Sequence, residues 1–233
     1  MNPADTIRVI NFGRLLHTRN YIEYGSRPTN PPGCYHKGQA RLHELVNRYV
    51  LASIDQNSCV LDLGCRNLDL AVFLKNRVRT VLNVDISPEV VDWAHEHGFE
   101  AVCASAENLP VTSGSVDLFH ASHVFEHVPD LAKTLFEAMR VLRFGGRLFA
   151  RVPLQSYYRH HRYYIGSTQA LANEIARQGH CVVICSEDAG FLGSQEGVLL
   201  IEKTGEAEYR PRRYAYDLIG TMRGVFWRFT HRT

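Results

Sequence analysis

The chain has 233 residues, of which 45% are hydrophobic and 21% charged, and its net charge is +2. This is ordinary globular composition, enough to bury a core without disulfides or a structural metal, and with no run of about 18 apolar residues it excludes a spanning helix. The near-neutral charge argues against an overall grip on nucleic acid, although residues 209–233 carry six arginines against the single acid Asp217.

Residues 1–57 read as an N-terminal lid or leader followed by a helix. Residues 1–16 lack the basic-then-apolar pattern of a secretory signal, so the expected compartment is the cytoplasm. A Pro/Gly-rich stretch at 27–33 precedes a helix predicted over 38–52, in which Leu42, Leu45, Val46, Tyr49 and Val50 recur at three- and four-residue steps.

Residues 58–204 read as the core domain. Strand-like runs at 59–63, 80–85, 100–103, 115–121 and 147–152 alternate with helical patterns at 68–77, 88–97 and 130–142. Ser87 and Pro88 form an N-cap and a first-turn proline. Gly98 closes that helix, and Gly145-Gly146 signal a turn after the next. Such alternation implies right-handed crossovers and a parallel sheet. A helix at 168–178 is followed by strands at 180–185 and 197–202 with no helix between them, hence an antiparallel pair at the edge. The expected fold class is α/β: a three-layer, Rossmann-like doubly wound sheet, mostly parallel. Of the six cysteines, Cys59 and Cys103 occupy strand positions as small hydrophobes. Cys181 and Cys185 are predicted on one face of a strand. They lack the turn that a zinc pair needs, so reduced core thiols are expected.

Residues 205–233 form a basic, aromatic tail whose stretch 217–230 has apolar residues at helical spacing. Two readings stand: an amphipathic helix against an anionic membrane surface at the inner face, or a helix packed on the domain or on a second copy of the chain, as a homodimer would have it.

The strongest functional signal begins where the first core strand ends, at Gly64. Ligands of open parallel sheets bind beyond the carboxyl ends of strands, where the strand order reverses. A glycine there lets backbone approach a ligand. Twenty-one residues on, the second strand ends at Asp85, a carboxylate placed to accept from ribose hydroxyls. The wider order is Val60-Leu61-Asp62-Leu63-Gly64-Cys65, Asn83-Val84-Asp85-Ile86-Ser87-Pro88, Ala104-Ser105-Ala106-Glu107-Asn108-Leu109-Pro110, Val116-Asp117-Leu118, Val124-Phe125-Glu126-His127-Val128, and Val141-Leu142-Arg143-Phe144-Gly145-Gly146-Arg147-Leu148. Over about residues 40 to 203 it resembles the class I S-adenosylmethionine-dependent methyltransferases, above all the group acting on small molecules.

The resemblance implies S-adenosylmethionine as cofactor. It places Gly64, with Asp62, Cys65 and Arg66 around it, at the methionine end, Asp85 on the ribose, and Ile86 against the adenine. It also puts Ser105, Ala106 and Glu107 at the adenine edge, and residues 121–123, with Ser122 among them, toward the sulfonium and the acceptor. The family's first loop usually reads Gly-x-Gly-x-Gly, whereas here it is Gly64-Cys65-Arg66-Asn67-Leu68, and Ser105 stands where an acid is usual. Either Arg66 pairs with the cofactor carboxylate, a charge-assisted bond, or Arg66 and Leu68 fill the pocket.

Methyl transfer to oxygen benefits from a general base, and histidine suits by its pKa. His123 is the first candidate, followed by His127 and His161. His160 and His161 lie among Tyr157, Tyr158, Tyr163 and Tyr164 in a segment expected to close over the pocket. The run His123-Val124-Phe125-Glu126-His127 also matches a zinc-peptidase pattern. That pattern belongs on a helix, and this run follows a strand and meets Pro129, so no metal site is expected. The expected function is O-methylation of a small molecule or a sugar or glycan precursor, with no nucleic-acid partner. The alternative is a non-catalytic methyltransferase-like partner or regulatory module. In the resembling family a lid often precedes the first helix, where Tyr35, His36 and Lys37 stand. A dinucleotide-using oxidoreductase is disfavoured because the loop lacks its glycines.

Overall fold

A computed structural model of the chain describes residues 6–10, 27–33, 37–158, 160–191 and 194–216. The elements run β1 (Ile7–Val9), α1 (Lys37–Tyr49), β2 (Cys59–Leu63), α2 (Asp69–Leu74), β3 (Thr80–Asp85), α3 (Pro88–Glu96), β4 (Ala101–Cys103) and β5 (Val116–Ser122). There follow α4 (Leu131–Val141), β6 (Leu142–Leu154), β7 (Tyr163–Ile165), α5 (Thr168–Gln178), β8 (Gly179–Phe191), β9 (Ser194–Ala207) and β10 (Ala215–Tyr216).

Seven strands form one sheet in the order β4-β3-β2-β5-β6-β9-β8. The first five are parallel, and β9 runs antiparallel to both β6 and β8. The order turns between β2 and β5, which opens a crevice at their carboxyl ends. Side chains alternate across the pleat. Val60, Leu118, Phe149 and Leu200 meet α1 and α2 on one face, while Leu61, Phe119, Leu148 and Ile201 meet α4 and α5 on the other. Three layers result, as expected from strands that are apolar on both faces.

The local signals explain the boundaries. The Ser87 hydroxyl accepts from the Val90 amide, with Pro88 in the first turn; Asp130 caps α4 through Lys133 and Ser167 caps α5 through Ala170. The helix predicted over 68–77 is shorter, Asp69–Leu74. The glycines read as a turn before the fifth core strand lie inside β6. That strand leaves α4 directly at Leu142 and loses register against β5 between Val116 and Leu118, so Gly145, at φ +70°, serves a bulge.

Two cysteine expectations are corrected. Cys103 is exposed, because β4 is an edge strand only three residues long. Cys181 and Cys185 do not share a face: Cys181 packs with the α4/α5 side and Cys185 with the α1 side. The register shift between Val183 and Cys185 inserts one residue and inverts the alternation beyond it.

Sequence reading missed a second sheet. β1 pairs antiparallel with β7 and parallel with β10. It therefore ties residues 7–9 and 215–216 to the segment that follows β6. Three residues or fewer per strand give too little periodicity to read. Tyr35, His36 and the tail helix predicted over 217–230 lie outside the described residues. Within the tail, Arg212 pairs with the buried Glu174 of α5, and the Arg210 amide donates to Gln178 at 2.9 Å. This part of the basic segment packs on the domain.

Candidate functional site

The site is built where β2, β3 and β5 end. β2 turns on Gly64, whose φ is +71° and whose amide donates to the Val84 carbonyl at 2.7 Å. A Cβ at this position would stand 2.5 Å from Cγ2 of Val124. Backbone conformation and space thus both demand glycine. Beyond it the loop keeps a glycine-like course with other residues: Arg66 has φ +21° and Leu68 φ +57°. Leu68 is fully buried with Ala71, Val90 and Ala94 between α2 and α3. Its side chain therefore belongs to the core, and its apolar burial offsets the left-handed backbone. Cys65 lies in the same cluster, and burial pushes its thiol well up.

Asp85 closes β3. Its Oδ1 accepts from the Ser87 amide at 3.0 Å and its Oδ2 from the Arg66 amide at 3.4 Å. Burial raises the carboxyl above its ordinary range, partly offset by those amides and by the Arg66 charge. The loop bearing Gly64 and the strand bearing Asp85 are thereby joined. Ile86, next along, is 37% exposed, an open apolar surface beside the carboxylate. The Ser105 hydroxyl accepts from the Glu107 amide at 3.3 Å and Ala106 packs on the core edge. The Glu107 carboxylate accepts from the Asp130 amide, which ties it to the start of α4. Asp62 lies beneath the loop and receives His120 Nδ1 at 2.6 Å across the β2–β5 register.

The carboxyl end of β5 carries a second constellation. Ser122 receives Arg151 Nη1 at 3.4 Å. His123 stands at φ +56°, uncommon for histidine, with its amide on the Arg151 carbonyl at 2.9 Å. Its Nε2 meets Glu196 Oε1 at 3.0 Å and its Nδ1 lies 3.6 Å from Glu126 Oε1. Desolvation opposes a charge on this ring, but the two carboxylates prevail and raise its pKa to about 9. Glu196 is also held by Arg151 Nη2 at 2.7 Å, both side chains being buried. Glu126 is 1% exposed. Burial would raise its carboxyl, yet the surrounding histidines hold it below the ordinary range.

The segment after β6 folds over this cluster. The Arg162 and Tyr163 amides donate to the Glu126 carbonyl at 2.7 and 3.0 Å. His161 stacks edge-on to His127, with ring centroids 5.0 Å apart, and Tyr158 packs against His161. His123, His127 and His161 are thus brought together around Glu126. Sequence reading missed Glu126, Arg151 and Glu196 as site residues. Glu126 stood in a quoted run and could have been found there; Glu196, from the far end of the chain, left no signal. Tyr163 faces elsewhere: its hydroxyl donates to the Pro129 carbonyl at 3.0 Å and accepts from the Leu131 amide at 3.2 Å. Losing both should make Tyr163→Phe less stable by about 1–2 kcal/mol, read as a lower urea midpoint with cofactor affinity unchanged.

With this geometry in view, residues 61–150 match the methyltransferase domain family model. This stretch, less than half of the chain, is similar to a methyltransferase domain. The match begins in β2, before Gly64, and ends in β6, so it takes in the Gly64 loop, Asp85 and the His123–His127 turn. An uncharacterized 37.1 kDa protein of a Streptomyces fradiae transposon is 37% identical over 101 residues, which is 40% of this chain and 29% of that protein. A ubiquinone biosynthesis O-methyltransferase of Xanthomonas oryzae is 33% identical over 109 residues, 43% of this chain and 46% of the relative. The chain spans less than half the length of these two curated relatives.

Among solved structures, the [4+2]-cyclase SpnF superposes on this chain with a TM-score of 0.67 at 16% identity, covering 86% of this chain and 99% of that one. A geranyl diphosphate C-methyltransferase of Streptomyces coelicolor gives 0.65 at 14% identity, covering 83% and 100%. These likenesses establish the fold. Among the described residues no helix is long and apolar enough to cross a membrane.

Proposed function

We propose that the chain is an S-adenosylmethionine-dependent methyltransferase that methylates an oxygen of a small molecule or of a sugar or glycan precursor in the cytoplasm. The observation that carries this reading is Asp85, buried at the end of β3, oriented by two backbone amides and flanked by the exposed Ile86 and the Gly64 turn. The residues fit the cofactor. Asp85 would hold the ribose hydroxyls, Ile86 the adenine, and the Gly64 turn with Arg66 the methionine end, where a guanidinium complements a carboxylate. Burial of Leu68 in the core removes one of the two replacements that threatened to fill the pocket. When bound, the cofactor supplies an activated methyl group.

The chain itself aligns the acceptor and takes its proton. His123 stands beside Ser122 at the mouth of the crevice, and Glu196 and Glu126 fix its ring. Because the two carboxylates raise its pKa to about 9, the ring is an imidazolium at neutral pH; its role in the proposal is to orient the acceptor hydroxyl and, once deprotonated, to receive its proton, so transfer should rise with pH toward about 9. His127 and His161, the other histidines expected to act on the acceptor, stand behind it. The relatives named as O-methyltransferases support an oxygen acceptor.

His123→Asn is expected to keep S-adenosylhomocysteine affinity within about twofold while transfer falls by about 100-fold or more. Full transfer by that variant would remove His123 from the mechanism. The non-catalytic alternative draws on Arg66, whose charge reaches Asp85. Calorimetry with S-adenosylhomocysteine separates the two readings: micromolar binding supports the enzyme, and an absence of binding supports the partner module.

A further inference from the structure

Glu126, His127 and His161 form a constellation of which the proposed methyl transfer uses only Glu126. One potential ligand atom from each lies within 4.8 Å of the others. They come from two distant pieces of chain, the turn after β5 and the segment before β7, clamped together by the amides of Arg162 and Tyr163 on the Glu126 carbonyl.

The polar accounting at this point does not close. Among the described residues neither carboxylate oxygen of Glu126 has a hydrogen-bond donor, although both atoms are buried. The nearest imidazole nitrogens, His123 Nδ1 and His127 Nε2, stand 3.6 and 3.7 Å away. That is too far for a hydrogen bond and suits atoms that share a third partner between them. His161 Nδ1 is also buried without a hydrogen-bond partner among the described residues. A buried carboxylate and a buried imidazole nitrogen left unsatisfied together cost several kcal/mol, unless another group occupies the space.

The tautomer of His127 points the same way. Its Nδ1 lies 3.0 Å from the His160 carbonyl, so it carries the proton and donates. In the neutral ring the lone pair is then on Nε2, which lies 3.7 Å from Glu126 Oε1. A histidine whose second nitrogen is pinned to a backbone carbonyl is the usual form of a metal ligand.

We propose that Glu126, His127 and His161 bind one divalent transition-metal ion of the zinc type. Two imidazoles and one carboxylate are a three-ligand zinc set with a fourth position open. Nitrogen donors favour zinc, cobalt or nickel over magnesium or calcium. Tetrahedral coordination places ligand atoms about 3.4 Å apart, so the cluster closes by shifts of about 1 Å. The expectation of no metal rested on the need for a helix to align the His-x-x-Glu-His run. The turn after β5 is not helical, and alignment comes instead from His161. An acceptor hydroxyl bound at the open position would become more acidic. Ion binding itself requires neither cofactor nor acceptor, so the site stands or falls apart from the proposed reaction.

The test is titration of chelator-treated, tag-free full-length protein with Zn2+ by calorimetry, and with Co2+ by visible absorption. The expected result is one ion per chain at micromolar Kd or tighter, a Zn2+-dependent rise in Tm and a Co2+ spectrum of nitrogen–oxygen ligation. Glu126→Gln and His161→Asn should each weaken binding by at least 100-fold, while Cys103→Ser leaves it unchanged. If Glu126→Gln fails to fold, His161→Asn decides alone, with circular dichroism as the check on folding. No stoichiometric binding by the wild type, or equal binding by both variants, overturns the proposal.

Discussion

Asp85→Ala should reduce affinity for S-adenosylhomocysteine by about 100-fold or more, the largest effect expected of any single substitution in the pocket. A carboxylate that accepts from two hydroxyls makes two charge-assisted bonds worth about 1.5–3 kcal/mol each, and alanine removes both. The apo protein should respond in the opposite direction. Burial raises the Asp85 carboxyl above its unfolded value. This group's contribution to stability is therefore complete below the ordinary carboxylate range and lost as pH rises through the raised value. At neutral pH the charged side chain thus weakens the fold. Asp85→Asn, which keeps the shape without the charge, should raise the Tm of the apo protein at pH 7 and leave cofactor binding impaired. A variant that loses both Tm and affinity would mean Asp85 is a structural residue; one that loses neither would place the nucleoside elsewhere.

Gly64→Ala is expected to destabilise the chain by about 2–5 kcal/mol. Alanine at φ +71° costs about 1–2 kcal/mol, and the Cβ, 2.5 Å from Val124 Cγ2, adds the about 1–3 kcal/mol of an overpacked core. The two terms separate in a double-mutant cycle with Val124→Ala, which removes the clashing methyl. The double variant should be more stable than the sum of the singles by the steric term alone, leaving the backbone penalty. Denaturant midpoints measure this directly. Strict additivity would show that the clash relaxes freely and that backbone strain alone demands glycine.

How far the sequence could be read depended on the range of the signal. The parallel core was legible because each βα unit is local: apolar runs mark strands, and Ser87-Pro88 marks the start of α3. Asp85 and Gly64 were legible for the same reason, as strand ends in a fold whose crevice position follows from topology. Leu68 misled. From its position alone it threatened the pocket, and only the packing of α2 on α3 shows that it turns into the core. Cys185 misled through a bulge, since one inserted residue inverts a period-two pattern. Glu196 and Arg151 were illegible in principle. Their pairing joins neighbouring strands β6 and β9 across the stretch of chain that holds α5, and no local pattern encodes such a partner.

The three-stranded sheet has a consequence for how the pocket is assembled. Arg8 faces Tyr164 on one side and Ala215 on the other, so the wall that carries His161 is braced by contacts reaching almost the full span of the described chain. Contacts of such sequence separation incur loop-closure entropy before they gain any packing. On contact order the crevice, built from neighbouring βα units, is expected to form before the wall over the histidines, and that wall is expected to open first. In the proposed reaction the half built from neighbouring βα units would hold the methyl donor, and the half built from distant segments would face the acceptor.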